Sequence, residues 1–337
     1  MNNESTRLVQ LTHPQNGRRV AVVKEPSLIL LNDTFSVYHL ALEAIRSKKK
    51  IAEIIASKLS DKTLDYSSIY NGEDEWELLP CFDNPDNIFG CIVSGTGLTH
   101  KNSALNRQMM HQSADHKPND SIVMYQWGVE GGFPEKGKAG VQPEWFYKGN
   151  GAVLRAHGQT LEVPPFGNDG GEEPEIVGVY IIDEEGQPWR IGFTAGNEFS
   201  DHVMEKKNYL YLAPSKLREC AIGPELSIDS GFEEFKGTVA VLRNEKILWS
   251  SDINSGQKNM AHSLQNLEYH HFKYPSHRIP LQAHVHFFGA DAFSFGNGIR
   301  LVDGDVMNVQ WNELGRALSN PIKISTEEEK IIEVKLL

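Results

Sequence analysis

Apolar positions along the chain fall into two regimes. Residues 7–11 and 19–23 are short apolar runs split by a turn of Pro14, Asn16 and Gly17, which predicts two strands. Ser36 stands before Val37, Leu40, Ala41 and Ala44, the spacing of one helix face behind a capping hydroxyl. A second helix is expected from Ile51, Ile54, Ile55 and Leu59. Residues 71–90 then turn polar, with Asn71-Gly72, Asp83-Asn84-Pro85 and Phe89-Gly90 as turn signals. A domain boundary is expected near residue 88. Beyond it, Gly and Pro punctuate short apolar strands at 176–182, 239–242 and 306–311. Two stretches carry helical periodicity, about 200–212 and about 259–272, the latter with Met260, Leu264, Leu267 and His271 in step. The tail 327–337 is charged and ends in alternation, which suggests an edge strand. The pattern describes a β-rich α+β catalytic domain, residues 89–337, behind a small N-terminal α+β domain, residues 1–88.

Composition narrows the class of partner. The chain has 337 residues, and 39% of them are hydrophobic, an ordinary globular mixture. Its formal charge of −12 disfavours nucleic acid, because phosphate backbones are bound by clustered Lys and Arg. The one basic triplet, Lys48-Lys49-Lys50, reads as a solvated helix end. No apolar run approaches the roughly 18 residues of a membrane span, and no basic stretch leads into an apolar secretory segment. Cys81, Cys91 and Cys220 are too dispersed for a disulfide framework or a zinc motif. A cytoplasmic protein is expected, with Cys220 as a buried bystander rather than a nucleophile.

The densest chemistry lies in Gly170-Gly171-Glu172-Glu173-Pro174-Glu175. On a strand, Glu173 and Glu175 share one face, since side chains repeat every two residues. Adjacent carboxylates repel, so one takes a proton or a cation sits between them. Oxygen donors of this kind suit Mg²⁺, Mn²⁺ or Ca²⁺ better than Zn²⁺. A solvated acidic loop is the alternative. Glu198 follows a Gly196-Asn197 turn and precedes Ser200 at a strand-to-helix junction. It is placed to add a third oxygen, or simply to serve the helix dipole. Lys216 is a base if a metal lowers its pKa, and otherwise a surface lysine. Lys148 has the charge to neutralise a substrate carboxylate. His284 and His286 alternate along one strand and read as structural, as do His270 and His271.

Glu-x-Glu, then Gly-Asn-acid-x-Ser, then Lys before Cys220-x-x-Gly223-Pro224 resembles the fumarylacetoacetate hydrolase superfamily over about residues 90–320. The runs 129–132, 142–149, 196–202, 208–213 and 284–289 are similar to its sugar-acid branch, the GguC-like, 2-keto-3-deoxypentonate dehydratase-like proteins. The resemblance implies a mixed β-sandwich roll as the catalytic domain. It implies Glu173, Glu175 and Glu198 as metal ligands for Mg²⁺, with Glu198 standing where most relatives have Asp. It implies Lys216 as the catalytic lysine. His202 and Ser200 fall on substrate-binding positions, and Ser94 is a further candidate beside Lys148. A homodimer is the superfamily's usual assembly.

One departure bears on the reaction. Hydrolytic relatives carry His-x-x-Glu near the start of the catalytic domain to activate water. Here His100 is followed by Ser103 at the Glu position. Without a carboxylate to orient it, His100 is a poor base for water. Elimination needs no such water. The expectation is therefore a Mg²⁺-dependent dehydratase of a 2-keto-3-deoxy sugar acid, a 2-keto-3-deoxypentonate giving 2-oxoglutarate semialdehyde, with Lys216 as base and His100 as acid. The rivals are a 2,4-diketo acid hydrolase on the same metal site and a non-catalytic sugar-acid-binding protein.

Overall fold

A computed structural model describes residues 5–110 and 119–337. Two sheets organise the described residues. The larger has twelve strands. Its spine is the strand Pro174–Ile182, buried along its whole length and paired antiparallel with Pro188–Asn197 on one side and Ala283–Phe287 on the other. Burial on both faces explains why residues 176–182 of this strand carry no charge and do not alternate. Val177, Val179 and Ile181 join a core with Val37, Leu40, Ile54 and Ile55 of the two N-terminal helices. Ile176, Tyr180 and Ile182 face the other way, into a second core with Val239, Met307, Val309 and Trp311 of the smaller sheet. That sheet has five strands, among them Phe235–Arg243, Lys246–Ser255 and Val306–Trp311.

The N-terminal strands Arg7–Thr12, Arg19–Lys24, Ser27–Leu31 and Leu59–Asp65 extend the larger sheet. Arg7 and Leu8 pair with Ser227 and Leu226 of the strand Cys220–Ser227. The first 88 residues thus share a sheet with the rest of the chain.

Ser36 caps the helix Val37–Ser47 as expected, its hydroxyl accepting the His39 N–H at 3.1 Å. The next helix, Ile51–Lys58, stops before Leu59, which opens the polar strand Leu59–Asp65 instead. The expected 200–212 helix is split. His202–Lys207 ends at an extended Asn208, whose side chain accepts from Leu210 N–H and starts a separate turn. A third short helix, Leu212–Lys216, follows. The 259–272 helix begins only at Leu264, capped by Ser263. Two helices, Lys101–Met110 and Asp120–Gly131, were not foreseen. The tail is no strand: residues 327–337 carry no strand assignment, and Ile331 and Val334 stand almost fully exposed. Among the described residues no helix is long and apolar enough to cross a membrane.

Candidate active site

The hairpin at the sheet's centre assembles the acidic residues. Glu173 and Glu175 bracket the first residue of the strand Pro174–Ile182, with Glu175 opposite Gly196 and Pro174 opposite Asn197. The Glu198 N–H donates to the Glu173 carbonyl at 2.9 Å, so Glu198 is delivered beside Glu173 by the backbone. Gly196 has to lack a side chain: a Cβ there would lie 2.3 Å from Val177 Cγ2 and 2.6 Å from Phe287 Cε1. Trp311 of the smaller sheet donates its indole N–H to the Glu175 carbonyl at 3.2 Å. The carboxylates of Glu173, Glu175 and Glu198 are buried and offer oxygens within 4.8 Å of one another.

Two buried lysines face them. Lys216, from the end of the helix Leu212–Lys216, donates to Glu173 Oε1 and Glu198 Oε2 at 2.7 Å each and to Ser200 Oγ at 3.1 Å. Lys148, from the strand Phe146–Asn150, lies 2.7 Å from Glu198 Oε1 and donates to the Phe199 carbonyl at 2.5 Å. Burial lowers the Lys216 pKa, but Glu173 and Glu198 outweigh it and hold the ammonium protonated. Burial likewise raises Glu173, and Lys216 with His202 reverses this, leaving it well below the usual carboxylate range.

Glu175 differs. Its hydrogen-bond donor is the Gly289 N–H at 2.6 Å, and among the described residues no Lys, Arg or His forms an ion pair with it. Burial, then the charges of Glu198 and Glu173, push its pKa well above the ordinary value. A buried carboxylate that Lys216 reaches only through its charge, beside two more carboxylates, is a donor set that fits a hard divalent cation. Nothing in the set suits a soft metal.

His202 completes this group. Its Nε2 lies 3.0 Å from Glu173 Oε1, and its ring is stacked between Phe293 and Phe295, with centroids at 5.0 and 5.1 Å. The structure therefore gathers Glu173, Glu175, Glu198, Lys216, Lys148, Ser200 and His202 at one point.

No family model matches the chain, and no curated protein's sequence matches it. Solved structures do. Two structures of 2-keto-3-deoxy-D-arabinonate dehydratase superpose with a TM-score of 0.69 at 16% identity. They are the apo form and the complex with magnesium and 2,5-dioxopentanoate, and each match covers 95% of this chain and all of theirs. A 2-hydroxyhepta-2,4-diene-1,7-dioate isomerase from Mycobacterium marinum superposes with a TM-score of 0.59 at 12% identity, over 96% of this chain and all of its own. The chain has the fumarylacetoacetate hydrolase fold.

Two expected residues, His100 and Ser94, make their hydrogen bonds to partners outside the triad of this fumarylacetoacetate hydrolase fold. His100 has Thr99 Oγ1 at 2.9 Å from Nδ1 and Ser255 Oγ at 3.2 Å from Nε2. Hydroxyls, not a carboxylate, hold its ring, and burial pulls its pKa down to about 4. Its link to the triad is indirect: Thr99 Oγ1 also donates to the Phe288 carbonyl, one residue before the Gly289 N–H that binds Glu175. Ser94 bonds His286 Nδ1 at 2.9 Å, in a histidine cluster with His271 and His284. Cys220 is buried and its thiol is pushed up to about 12 by burial, so it is no nucleophile.

Two further groups escaped sequence reading. Arg107 Nη1 donates to both carboxylate oxygens of Glu144 at 2.9 Å, and Arg107 Nε meets Glu205 Oε1 at 2.5 Å. The Tyr209 hydroxyl donates to Glu144 Oε2 at 3.0 Å. Glu172, next to Glu173, bonds Ser294 through both carboxylate oxygens. These partners are far apart in sequence, and no spacing rule connects them.

Proposed function

We propose that the protein is a divalent-metal-dependent dehydratase of a 2-keto-3-deoxy sugar acid, a 2-keto-3-deoxypentonate giving 2-oxoglutarate semialdehyde. The observation that carries this reading is the buried triad, whose Glu175 has no cationic partner although two lysines stand beside it. The likeness to a dehydratase solved with magnesium and 2,5-dioxopentanoate, another name for the same semialdehyde, supports it.

In this reading Glu173, Glu175 and Glu198 hold Mg²⁺, for which Mn²⁺ or Ca²⁺ has compatible donor chemistry. The cation supplies Lewis-acid polarisation of the 2-keto group, which makes the C3 protons acidic. Lys148, Ser200 and His202 orient the substrate's carboxylate end. Lys216 takes the C3 proton. It is a competent base only when Glu173 and Glu198 give their charge to a cation, because those two carboxylates otherwise keep it protonated. The C4 hydroxyl leaves as water with a proton from a bound water or by way of His100, which burial keeps neutral and which therefore passes a proton on rather than storing one. Loss of a C5 proton and ketonisation then give the aldehyde.

Hydrolysis of 2,4-diketo acids is the weaker reading. It requires a base for water, and His100 has hydroxyl partners where a carboxylate is needed. Isomerisation shares the enolate chemistry, and isomerases are among the similar structures. The test is a panel with Mg²⁺: L- and D-2-keto-3-deoxypentonate, an acylpyruvate and a 2-hydroxydienedioate. Semialdehyde from one pentonate isomer, followed by a coupled NADP⁺-dependent dehydrogenase, is the expected result. Cleavage of the acylpyruvate or isomerisation of the dienedioate, with both pentonates untouched, would overturn the proposal. No turnover of any compound, with pentonate binding retained, would make the protein a binder.

A further inference from the structure

Glu172 is a buried carboxylate with no part in the chemistry proposed above. It lies between Gly171 and Glu173, is fully buried, and among the described residues pairs with no lysine or arginine. Glu173 points into the triad, whereas the Glu172 carboxylate is hydrogen-bonded to Ser294 and feels His202 only through its charge. Its Oε1 accepts the Ser294 N–H at 2.6 Å and its Oε2 accepts the Ser294 hydroxyl at 3.0 Å. Both bonds run to one residue 122 positions away. A buried carboxylate committed in this way is costly to keep unless the arrangement it fixes is useful.

What it fixes is the short turn at Ser294–Asn297 and the residue before it. Phe293 and Phe295 flank Ser294, and both rings stack on His202: Phe293 at 6° between planes and Phe295 at 26°. The sandwiched imidazole reaches Glu173 Oε1 through Nε2, while its Nδ1 has no hydrogen-bond partner. The nearby Asp169 acts on the ring through charge alone, and among the described residues no hydrogen bond at Nδ1 sets its orientation. The two phenyl faces do so, and Ser294 is the pivot between them. The same peptide that carries Glu172 carries Glu173, so the clamp and the carboxylate it serves are registered to one backbone segment.

We propose that Glu172 is a positioning residue for the active site: by tethering Ser294 it holds Phe293 and Phe295 as a two-ring clamp that fixes His202 against Glu173. The inference rests on the functional reading in one respect, that His202 orients substrate. Glu173 keeps Lys216 as a second partner at 2.7 Å, so loss of the clamp leaves the metal-binding carboxylate in place. Substrate handling suffers and metal binding does not.

The experiment is a double-mutant cycle between Glu172→Ala and His202→Asn, with Glu172→Gln and Ser294→Ala as companions. Glu172→Ala should raise KM for the pentonate substrate about tenfold or more, since small misplacements near reacting groups are expensive. Its half-saturating Mn²⁺ concentration, read by electron paramagnetic resonance, should stay within about twofold of wild type. Glu172→Gln should recover most of the loss, because its amide oxygen still accepts the Ser294 N–H. In the His202→Asn background Glu172→Ala should add almost nothing. Additive losses, or a loss shared equally by metal and substrate, would overturn the proposal. A readout independent of turnover separates this inference from the functional reading. In histidine-labelled protein without substrate, the His202 imidazole signals, identified by their absence in His202→Asn, should shift or broaden in Glu172→Ala and Ser294→Ala. Unchanged signals in both variants would overturn the clamp even if the enzyme is a dehydratase. Altered signals in a protein that turns over no pentonate would leave the clamp standing and refute the reaction.

Discussion

At the residue scale, the two charges nearest the proposed metal differ in what they do for the fold. Glu175 is a buried carboxylate answered by the Gly289 N–H and, among the described residues, by no ion-paired cation. Glu175→Gln keeps an acceptor for that N–H and removes the unbalanced charge. It should abolish the Mg²⁺ response and cut turnover about 10²-fold or more, while leaving the melting temperature equal or higher. Lys216→Met should cut turnover by a similar factor, of the order expected for a general base. It should also destabilise by about 3–5 kcal/mol, because Glu173 and Glu198 lose the ammonium between them. Thermal melts beside rate measurements check the pair, and a stability loss in Glu175→Gln would contradict this picture of the site. Glu173 and Glu175 were legible in the sequence because a two-residue spacing on a strand fixes a shared face. Lys148 was legible only as a cation, since its partner Glu198 lies fifty residues on and no local pattern joins them. The Arg107, Glu144 and Glu205 group was not legible at all, because each partner reads as an ordinary surface charge until the fold buries it.

At the element scale, the hairpin 174–197 does most of the positioning. Its glycine at 196 is a packing requirement, with Val177 and Phe287 filling the space a Cβ would take. Gly196→Ala should destabilise by about 1–3 kcal/mol through overpacking and should lower activity more than the stability loss explains, since Glu198 lies two residues on. Comparing chemical denaturation midpoints with rates at a temperature where the variant is fully folded tests this. Elements with a local cause were readable: the Ser36 cap, the helix face of Val37, Leu40 and Ala44, and the apolar strand at 176–182. Elements with a tertiary cause were not. Leu59–Asp65 is largely polar and forms a strand because Ser27–Leu31 offers it an edge. The break at Asn208 comes from a side-chain cap that competes with helix continuation.

At the scale of the whole molecule, the net charge of −12 is a poor guide to behaviour in acid, because the buried histidines dominate there. His271, His284 and His286 pack together, and burial, followed by repulsion from His277 and from one another, lowers the pKa of all three. His284 and His286 are each lowered to about 3. A histidine whose folded pKa lies below its unfolded value gives full stability above about pH 6.5 and loses it as pH falls toward the folded pKa. The loss approaches about 1.4 kcal/mol per pH unit for each such histidine. Urea midpoints should therefore fall clearly between pH 7 and pH 5, and an unchanged midpoint would contradict the neutral cluster. The charge arithmetic matters differently at the site, where three of the acidic residues face inward as candidate ligands rather than outward to solvent. The central claim is that these three carboxylates bind the cation on which dehydration depends. The most direct measurement is the rate of 2-oxoglutarate semialdehyde formation from 2-keto-3-deoxypentonate as Mg²⁺ is returned to chelator-treated protein. The rate should start at background and rise to saturation in the wild type, and stay at background in Glu175→Gln. Product formed equally fast without Mg²⁺, or no product from either pentonate isomer at any Mg²⁺ concentration, would contradict it.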